Sequence, residues 1–197
     1  MIDPACGTGD LCIHYEGNIT LWDISPNVID VCIHNFQLNN KTFHTKVHNT
    51  LAHPNLLNNS FDYCCLNPPF GSKTVIKNPD VLKHYQLAKN KTKEEIGILF
   101  IERAINLPKN NGIAFIILPN GYLGNTSKNT ILLRNYFKQF HIVAILELPD
   151  NTFSRSGTGV NTSLLILKKT KPNQFPIYMR KINHIGYILN KKGTPYK

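Results

Sequence analysis

The sequence predicts a doubly wound α/β domain built on a mostly parallel sheet. Three observations carry that expectation. Short runs rich in Val, Ile and Phe alternate with longer segments of helical period, the pattern of repeated βα units. The run IAFIILP, beginning at Ile113, is apolar at successive positions, so both of its faces are expected to be buried between helix layers. A glycine loop follows the first apolar residues, and an acid closes the second run. Both lie where ligands meet such sheets, at the carboxyl ends of strands.

Taken in order, strands are expected at about 19–23, 43–48, 61–66, 112–118, 141–148 and 162–168, from short β-branched and aromatic runs. Helices are expected at about 9–16, 26–38, 94–107 and 127–139, from the longer period. Ser25-Pro26 is a helix start with proline at the first position. Asn110-Asn111-Gly112 ends a helix and turns the chain into IAFIILP. Residues 71–93 have weak periodicity and are expected to form a mobile loop. The chain from 171 to 197 is more basic and less patterned, and is expected to act as a linker.

A chain of 197 residues fits one domain, and its hydrophobic fraction of 42% is ordinary for a globular protein. No apolar run approaches the length of a membrane span. The start Met1-Ile2-Asp3-Pro4 has neither the basic nor the apolar region of a signal peptide. The five cysteines include no CxxC pair and are expected to be reduced thiols in a cytoplasmic protein. His44 and His48 are four apart on a predicted strand, which is not helical metal-ligand spacing, and no metal site is expected. The net charge of +10 points to a polyanionic partner. Lys73, Lys77, Lys83, Lys89, Lys91 and Lys93 form a basic cluster ahead of Glu94, expected to contact phosphates or else to be a solvated insertion.

The opening MIDPACGTGD places Asp3 before a loop containing Gly7 and Gly9. Glycine lets a backbone approach a ligand closely, and an ionised Asp3 accepts hydrogen bonds from an ammonium group. Asp23, at the end of ITLWD, sits where an acid receives ribose hydroxyls. The loop is not GxGxxG and has no Walker lysine. An acid inside the loop suits a cofactor with an amino-acid end, hence S-adenosyl-L-methionine.

FDYCCLNPPFG, residues 61–71, ends a predicted strand on a rigid polar tip. Prolines fix their own backbone and push the preceding residue toward extended geometry. The exocyclic amine of adenine is a poor nucleophile because its lone pair is delocalised into the ring. Two acceptors that take both N–H bonds favour a pyramidal nitrogen and free that lone pair. Asn67 offers a side-chain carbonyl and Pro68 a backbone carbonyl, whose direction Pro68 and Pro69 fix. Phe70 offers a stacking face for an extruded base, worth roughly 1–3 kcal/mol. The plain alternative is a Pro-Pro turn after a strand.

These residues resemble the N6-adenine DNA methyltransferases of the N-6 DNA methylase family, which includes the modification subunits of type I restriction systems. DPACGTG looks like the family's cofactor motif and NPPFG like its catalytic motif. The resemblance continues through LFIERAINLPKNNGIAFIILPNGYL, ILELPDNTFSRSGTGVNTSLLILKK and IYMRKINHIGY. It implies the Rossmann-like fold of S-adenosylmethionine-dependent methyltransferases. It implies a catalytic core over 1–170, and an exit segment over 171–197 leading toward a target-recognition region. Asp3, Ala5, Gly7, Thr8 and Gly9 would line the methionine end. Asp23 and Ile24 would hold the ribose, and Asn49 and Thr50 the adenine side. Asn67, Pro68, Pro69 and Phe70 would hold the target adenine, with Phe153 near the flipped base and Lys73 and Lys77 on DNA.

The sequence departs from the family in three places. Asn49 stands where an acid usually contacts the cofactor adenine. The aromatic-Thr-Pro element that precedes the glycine loop in the family is not in this sequence. No recognition region is expected within these 197 residues. The expectation is a catalytic core cut from a longer protein, methylating adenine N6 in double-stranded DNA within a restriction-modification system and needing a recognition subunit or flanking domains. The alternatives are a non-catalytic or structural DNA-contacting subunit, or an N-methyltransferase for RNA or protein glutamine.

Overall fold

The structure is a computed structural model that describes residues 1–70, 74–150, 152–153, 160–172, 174–184, 188–189 and 195–196. Its core is an eight-stranded sheet. In chain order the strands are β1 (Ile2–Asp3), β2 (Ile19–Asp23), β3 (Phe43–Val47), β4 (Phe61–Leu66), β7 (Pro108–Pro119), β8 (His141–Glu147), β9 (Thr162–Lys168) and β10 (Tyr178–Lys181). Their order across the sheet is β10-β8-β9-β7-β4-β1-β2-β3. Strand β9 alone runs antiparallel, to β7 on one side and β8 on the other; the remaining pairs are parallel. Strand β1 lies between β2 and β4, with Ile2 opposite Thr20 and Cys64. The chain order therefore reverses beside β1, which opens a crevice at the carboxyl ends of β1 and β4.

The period-2 alternation of the strands divides the core in two. Trp22, Cys64 and Leu66 face one layer, where α3 (Ile96–Asn106) and, after the short α4 (Asn120–Gly124), α5 (Lys128–Phe137) pack with Ile101, Ile105, Leu133 and Phe137. Ile19 and Leu21 face the other, against Ile29, Cys32 and Phe36 of α1 (Pro26–Leu38). Ser127 caps α5 by accepting from the Thr130 N–H at 3.3 Å. On the α1 side the cover is incomplete: Phe115 of β7 and Leu164 and Ile166 of β9 remain half-buried. IAFIILP is thus fully buried on one face, through Ala114, Ile116 and Leu118, rather than equally on both.

Six expectations change. Asn110-Asn111-Gly112, expected to end a helix, lies inside β7, and α3 already stops at Asn106. Residues 9–16 form successive turns, not a helix: Cys12 N–H donates to the Gly9 carbonyl at 3.0 Å, and Tyr15 N–H to Cys12 at 3.0 Å. Gly9 at φ +88° and Gly17 at φ +138° bound the stretch, which is short and carries Ile13, His14 and Tyr15, all modest helix formers. Within the expected mobile loop, β5 (Val75–Ile76) pairs antiparallel with β6 (Glu94–Glu95), followed by the short helix α2 (Pro79–Leu82). Leu82, Tyr85, Leu87 and Ala88 are buried there, so this segment packs onto α3. The helix expected from 94 starts at Ile96 for the same reason. The basic cluster is interrupted by Asp80, which pairs with Lys83 at 2.7 Å, and Lys91 pairs with the buried Glu94. Finally, Tyr178–Lys181 joins the sheet beside β8, so the segment after 170 adds a strand to the core.

Among the described residues, no helix is long and apolar enough to cross a membrane, and no group of three His, Cys, Asp or Glu side chains could hold a metal ion. All five cysteines are free thiols.

Candidate functional site

Asp3 ends β1 and is 1% exposed. Its carboxylate accepts from the Ala5 N–H at 3.0 Å and from the Cys12 thiol at 3.8 Å. Burial pushes its pKa up from 3.8 to about 7; the nearby Asp23 adds to the rise and the Ala5 N–H opposes it. Asp23 ends β2. One of its oxygens accepts from the Gly7 N–H at 3.1 Å, the other from the Ser25 N–H at 3.0 Å. The loop between Asp3 and Gly9 is therefore tied down by the acid of the next strand. A third tie comes from the end of β3, where the buried Thr50 hydroxyl donates to the Pro4 carbonyl at 2.7 Å.

Gly7, at φ +54°, needs the left-handed region. Gly9, at φ +88°, also needs space. A Cβ there would lie 2.5 Å from Phe36 Cε2 and 2.8 Å from Cys32 Sγ. Gly9 is thus pressed onto α1.

Asn67 follows β4. Its Oδ1 is buried and has no hydrogen-bond partner. Such an atom costs about 1–3 kcal/mol when left unpaired, so the strand end is kept at some expense to stability. Pro68 is buried, Pro69 exposed and Phe70 half-buried. The first turn of α3 packs against this tip: a Cβ on Gly97 would meet the Pro69 carbonyl at 3.2 Å.

Two cavities meet at Asn67. The first, of about 500 Å³, is bordered by Ala5, Asp23, Ile24, Asn49 and Thr50 on one side and by Asn67, Pro68, Pro69 and Phe70 on the other. The second, of about 470 Å³, is bordered by Asp3, Ala5, Gly7 and Thr8. Ala5, Asn67 and Phe153 border both. An elongated ligand with a polar and an apolar end can therefore run from one to the other past Asn67.

The structure brings together thirteen of the residues singled out from sequence and sets two apart. Gly9 borders neither cavity and supports the loop from behind. Lys77 is exposed just after β5 and borders neither cavity. Lys73 lies outside the described residues. Sequence reasoning missed His48, Leu51, Ile76, Ile96 and Phe100, which also line the first cavity. Only Ile96 and Phe100, four apart on α3, left a periodic trace; Ile76 comes from the segment read as a loop.

A family model described as N-6 DNA Methylase matches residues 1–193. The type I restriction enzyme EcoEI methylase subunit of Escherichia coli is 24% identical over 195 residues, covering 88% of this chain and 39% of that protein. Among solved structures, a Listeria monocytogenes protein described as a class I S-adenosylmethionine-dependent methyltransferase superposes with TM-score 0.76 at 22% identity, over 93% of this chain and 58% of its own. The type I restriction-modification system methyltransferase subunit from Streptococcus thermophilus gives TM-score 0.71 at 18% identity, over 91% of this chain and 41% of its own. The chain spans 39–58% of the length of these relatives. With a glycine loop, a strand-end acid and an NPPF tip around two joined cavities, and with that family match over nearly its whole length, the chain belongs to the N-6 DNA methylase family.

Proposed function

We propose that this chain transfers a methyl group from S-adenosyl-L-methionine to the N6 amine of adenine in double-stranded DNA, as the modification part of a restriction-modification system. The observation that carries the reading is the unpaired, buried Oδ1 of Asn67 at the junction of the two cavities. A carbonyl kept dry and unspent is a preorganised acceptor for an N–H that arrives with the substrate.

The residues present fit the cofactor. Asp3, Gly7 and Thr8 border the smaller cavity and suit the amino-acid end, while Asp23, Ile24, Asn49 and Thr50 border the larger one and suit the nucleoside. When bound, the sulfonium supplies an electrophilic methyl group. Asn67 Oδ1 and the Pro68 carbonyl take the two N–H bonds of the adenine amine, which brings its nitrogen lone pair out of conjugation. Phe70 and Phe153 border the space an extruded base would enter, and stacking there offsets part of the few kcal/mol that extrusion costs. No strong base is needed, because the amine proton is acidic only after the new C–N bond has formed.

The same reading assigns DNA contacts to Phe153, Lys73 and Lys77. It assigns residues 171–197 to the route toward a target-recognition region, and a recognition subunit or flanking domains as partners. The half-buried sheet face of Phe115, Leu164 and Ile166 supports a further packed segment. Five free thiols fit a reducing compartment, the cytoplasm.

The test is methyl incorporation from labelled cofactor into duplex DNA, RNA and glutamine-bearing protein, with and without an added recognition subunit. The expected product is N6-methyladenine in DNA, barely detectable for the chain alone and raised by the subunit. Product on RNA or protein would replace the substrate. Cofactor binding by calorimetry without any product, even with the subunit, would make the chain a non-catalytic subunit.

A further inference from the structure

Behind the NPPF tip stands a small hydrogen-bonded frame. Glu95 ends β6 and directly precedes α3, whose first turn packs on the tip. The Tyr122 hydroxyl, from α4, donates to Glu95 Oε2 at 2.9 Å. Tyr122 is 8% exposed. Burial, and then the charge of Glu95, raise its pKa above the ordinary value, so the hydroxyl keeps its proton and donates. Gly97 sits between this hydroxyl and the tip. A Cβ there would lie 3.1 Å from Tyr122 Oη and 3.2 Å from the Pro69 carbonyl oxygen. Pro69 and Ile96 both border the larger cavity.

Both partners of the bond are anchored from their own sides. On one side β6 pairs with β5, and the Ile96 N–H donates to the Thr74 carbonyl at 3.1 Å. The Glu95 N–H donates to the buried Glu94 carboxylate at 2.8 Å, which also accepts from Asn129 of α5 at 3.2 Å. On the other side Arg134 of α5 donates to the Tyr122 carbonyl at 3.3 Å. The bond between Tyr122 and Glu95 thus joins two fixed pieces and sets the height of the first turn of α3. The prolines fix the shape of the tip but not its depth against the rest of the domain. That depth is set by what stands behind it, which is Gly97.

We propose that Tyr122 and Glu95 are positioning residues for methyl transfer: through Gly97 they back the Pro69 carbonyl and hold the NPPF tip at the depth where Asn67 and Pro68 meet the amine. This rests on the reading above that those two carbonyls take the N–H bonds of the amine. Neither Tyr122 nor Glu95 borders either cavity, so both act through the backbone and not on a reactant. A misplacement of about 1 Å at reacting groups can cost roughly a hundredfold in rate, so a few tenths of an ångström at this tip is worth about five- to tenfold.

The experiment uses the whole chain with an added recognition subunit and four proteins: wild type, Tyr122→Phe, Glu95→Gln and Gly97→Ala. Phenylalanine keeps the ring and removes the hydroxyl. Glutamine keeps a carbonyl that accepts from Tyr122. Alanine puts a methyl group between Tyr122 and Pro69, where one of them must yield. Methyl incorporation into duplex DNA is measured at saturating cofactor and DNA, and affinity for S-adenosylhomocysteine by calorimetry. Tyr122→Phe and Gly97→Ala are each expected to lower the saturated rate about five- to tenfold. Their cofactor affinity is expected to stay within about twofold of wild type, the split that marks an interaction felt only in the reaction step. Glu95→Gln is expected to keep the rate within about threefold of wild type, because the hydrogen bond is restored. Unchanged rates in Tyr122→Phe and Gly97→Ala would overturn the proposal. A rate loss matched by an equal loss of cofactor affinity would also overturn it, since that marks a loosened fold and not a shifted tip. So would a rate for Glu95→Gln as low as that of Tyr122→Phe. If Gly97→Ala does not fold, Tyr122→Phe and Glu95→Gln decide alone by the same outcomes. If wild type with the subunit methylates nothing, the reading of function itself fails and this inference fails with it; an active wild type with unaffected variants sinks this inference alone.

Discussion

The two sides of the site are built in opposite ways. On the cofactor side nearly every polar group is used inside the protein: Asp3 binds Ala5 and Cys12, Asp23 binds Gly7 and Ser25, and Thr50 binds Pro4. On the NPPF side the key acceptor, Asn67 Oδ1, binds nothing. The loop is a shape held by internal bonds, and it needs them because no helix follows it. The strand tip is a charge arrangement held by covalent stiffness, in which two prolines replace the hydrogen bonds that would otherwise position it. Changes on the first side should therefore act on stability and binding, and changes on the second on rate.

The largest effect is expected from Gly9→Ala. The left-handed φ and the 2.5 Å approach to Phe36 leave no room for a methyl group, so a stability loss of about 3 kcal/mol is expected. Thermal unfolding would show it as a drop of roughly 6–12 °C. An unfolding temperature within a degree or two of wild type would mean that the loop is not braced by α1.

Next comes Asn67→Ala, expected to lower the rate of methyl transfer at least tenfold, about 1.4 kcal/mol in the barrier. Cofactor affinity should hardly change, and the unfolding temperature should not fall. Loss of cofactor binding by a folded variant would erase the contrast between the two sides.

The third effect is on pH. Asp3, with its pKa raised to about 7, holds its proton more firmly in the folded chain than in the unfolded one. Its contribution to stability is therefore present at low pH and is lost as pH rises from about 4 through 7. A cationic ligand reverses this, because it favours the ionised form. Affinity for S-adenosyl-L-methionine should fall about fivefold from pH 7 to pH 6, with proton release on binding at pH 6. Calorimetry in two buffers of different ionisation enthalpy would detect the release; flat affinity over this range would show that Asp3 is ionised without ligand.

The smallest effect is expected from Thr50→Val, which keeps the shape and removes the bond to the Pro4 carbonyl. A stability loss of about 1 kcal/mol is expected, with cofactor affinity reduced several-fold and the rate at saturating cofactor unchanged.

These contrasts also mark where the sequence was readable. Ile19–Asp23, Pro26–Leu38 and Phe61–Leu66 lie where their patterns placed them, because each has one dominant period and a clear end signal, such as Pro26 or Asn67. The turns at 9–16 were misread because apolar residues four apart mimic a helix face, while the positive φ at Gly9 and Gly17 is invisible in composition. The packed stretch from Val75 to Ala88 was read as mobile because its elements are two to four residues long and its order comes from contacts with α3. The NPPF side of the site was legible, since four consecutive residues carry it. His48 was not, since its place in the cavity wall depends on packing against Trp22, a residue on another strand.

Strand β9 has a consequence for how the protein is made. Strands β7 and β8 are each bonded to β9 and not to one another, so a nascent chain that has emerged only as far as Glu147 carries two strands with no shared partner. Their exposed edges can pair with other chains until Thr162–Lys168 leaves the ribosome and inserts between them. Synthesis, at about 5–20 residues per second, must add some twenty residues more before this half of the sheet can close, an interval of roughly one to four seconds. Chaperone demand during translation should therefore peak while β8 is out and β9 is not, and a message stalled in that window should yield aggregates instead of a slowly folding core.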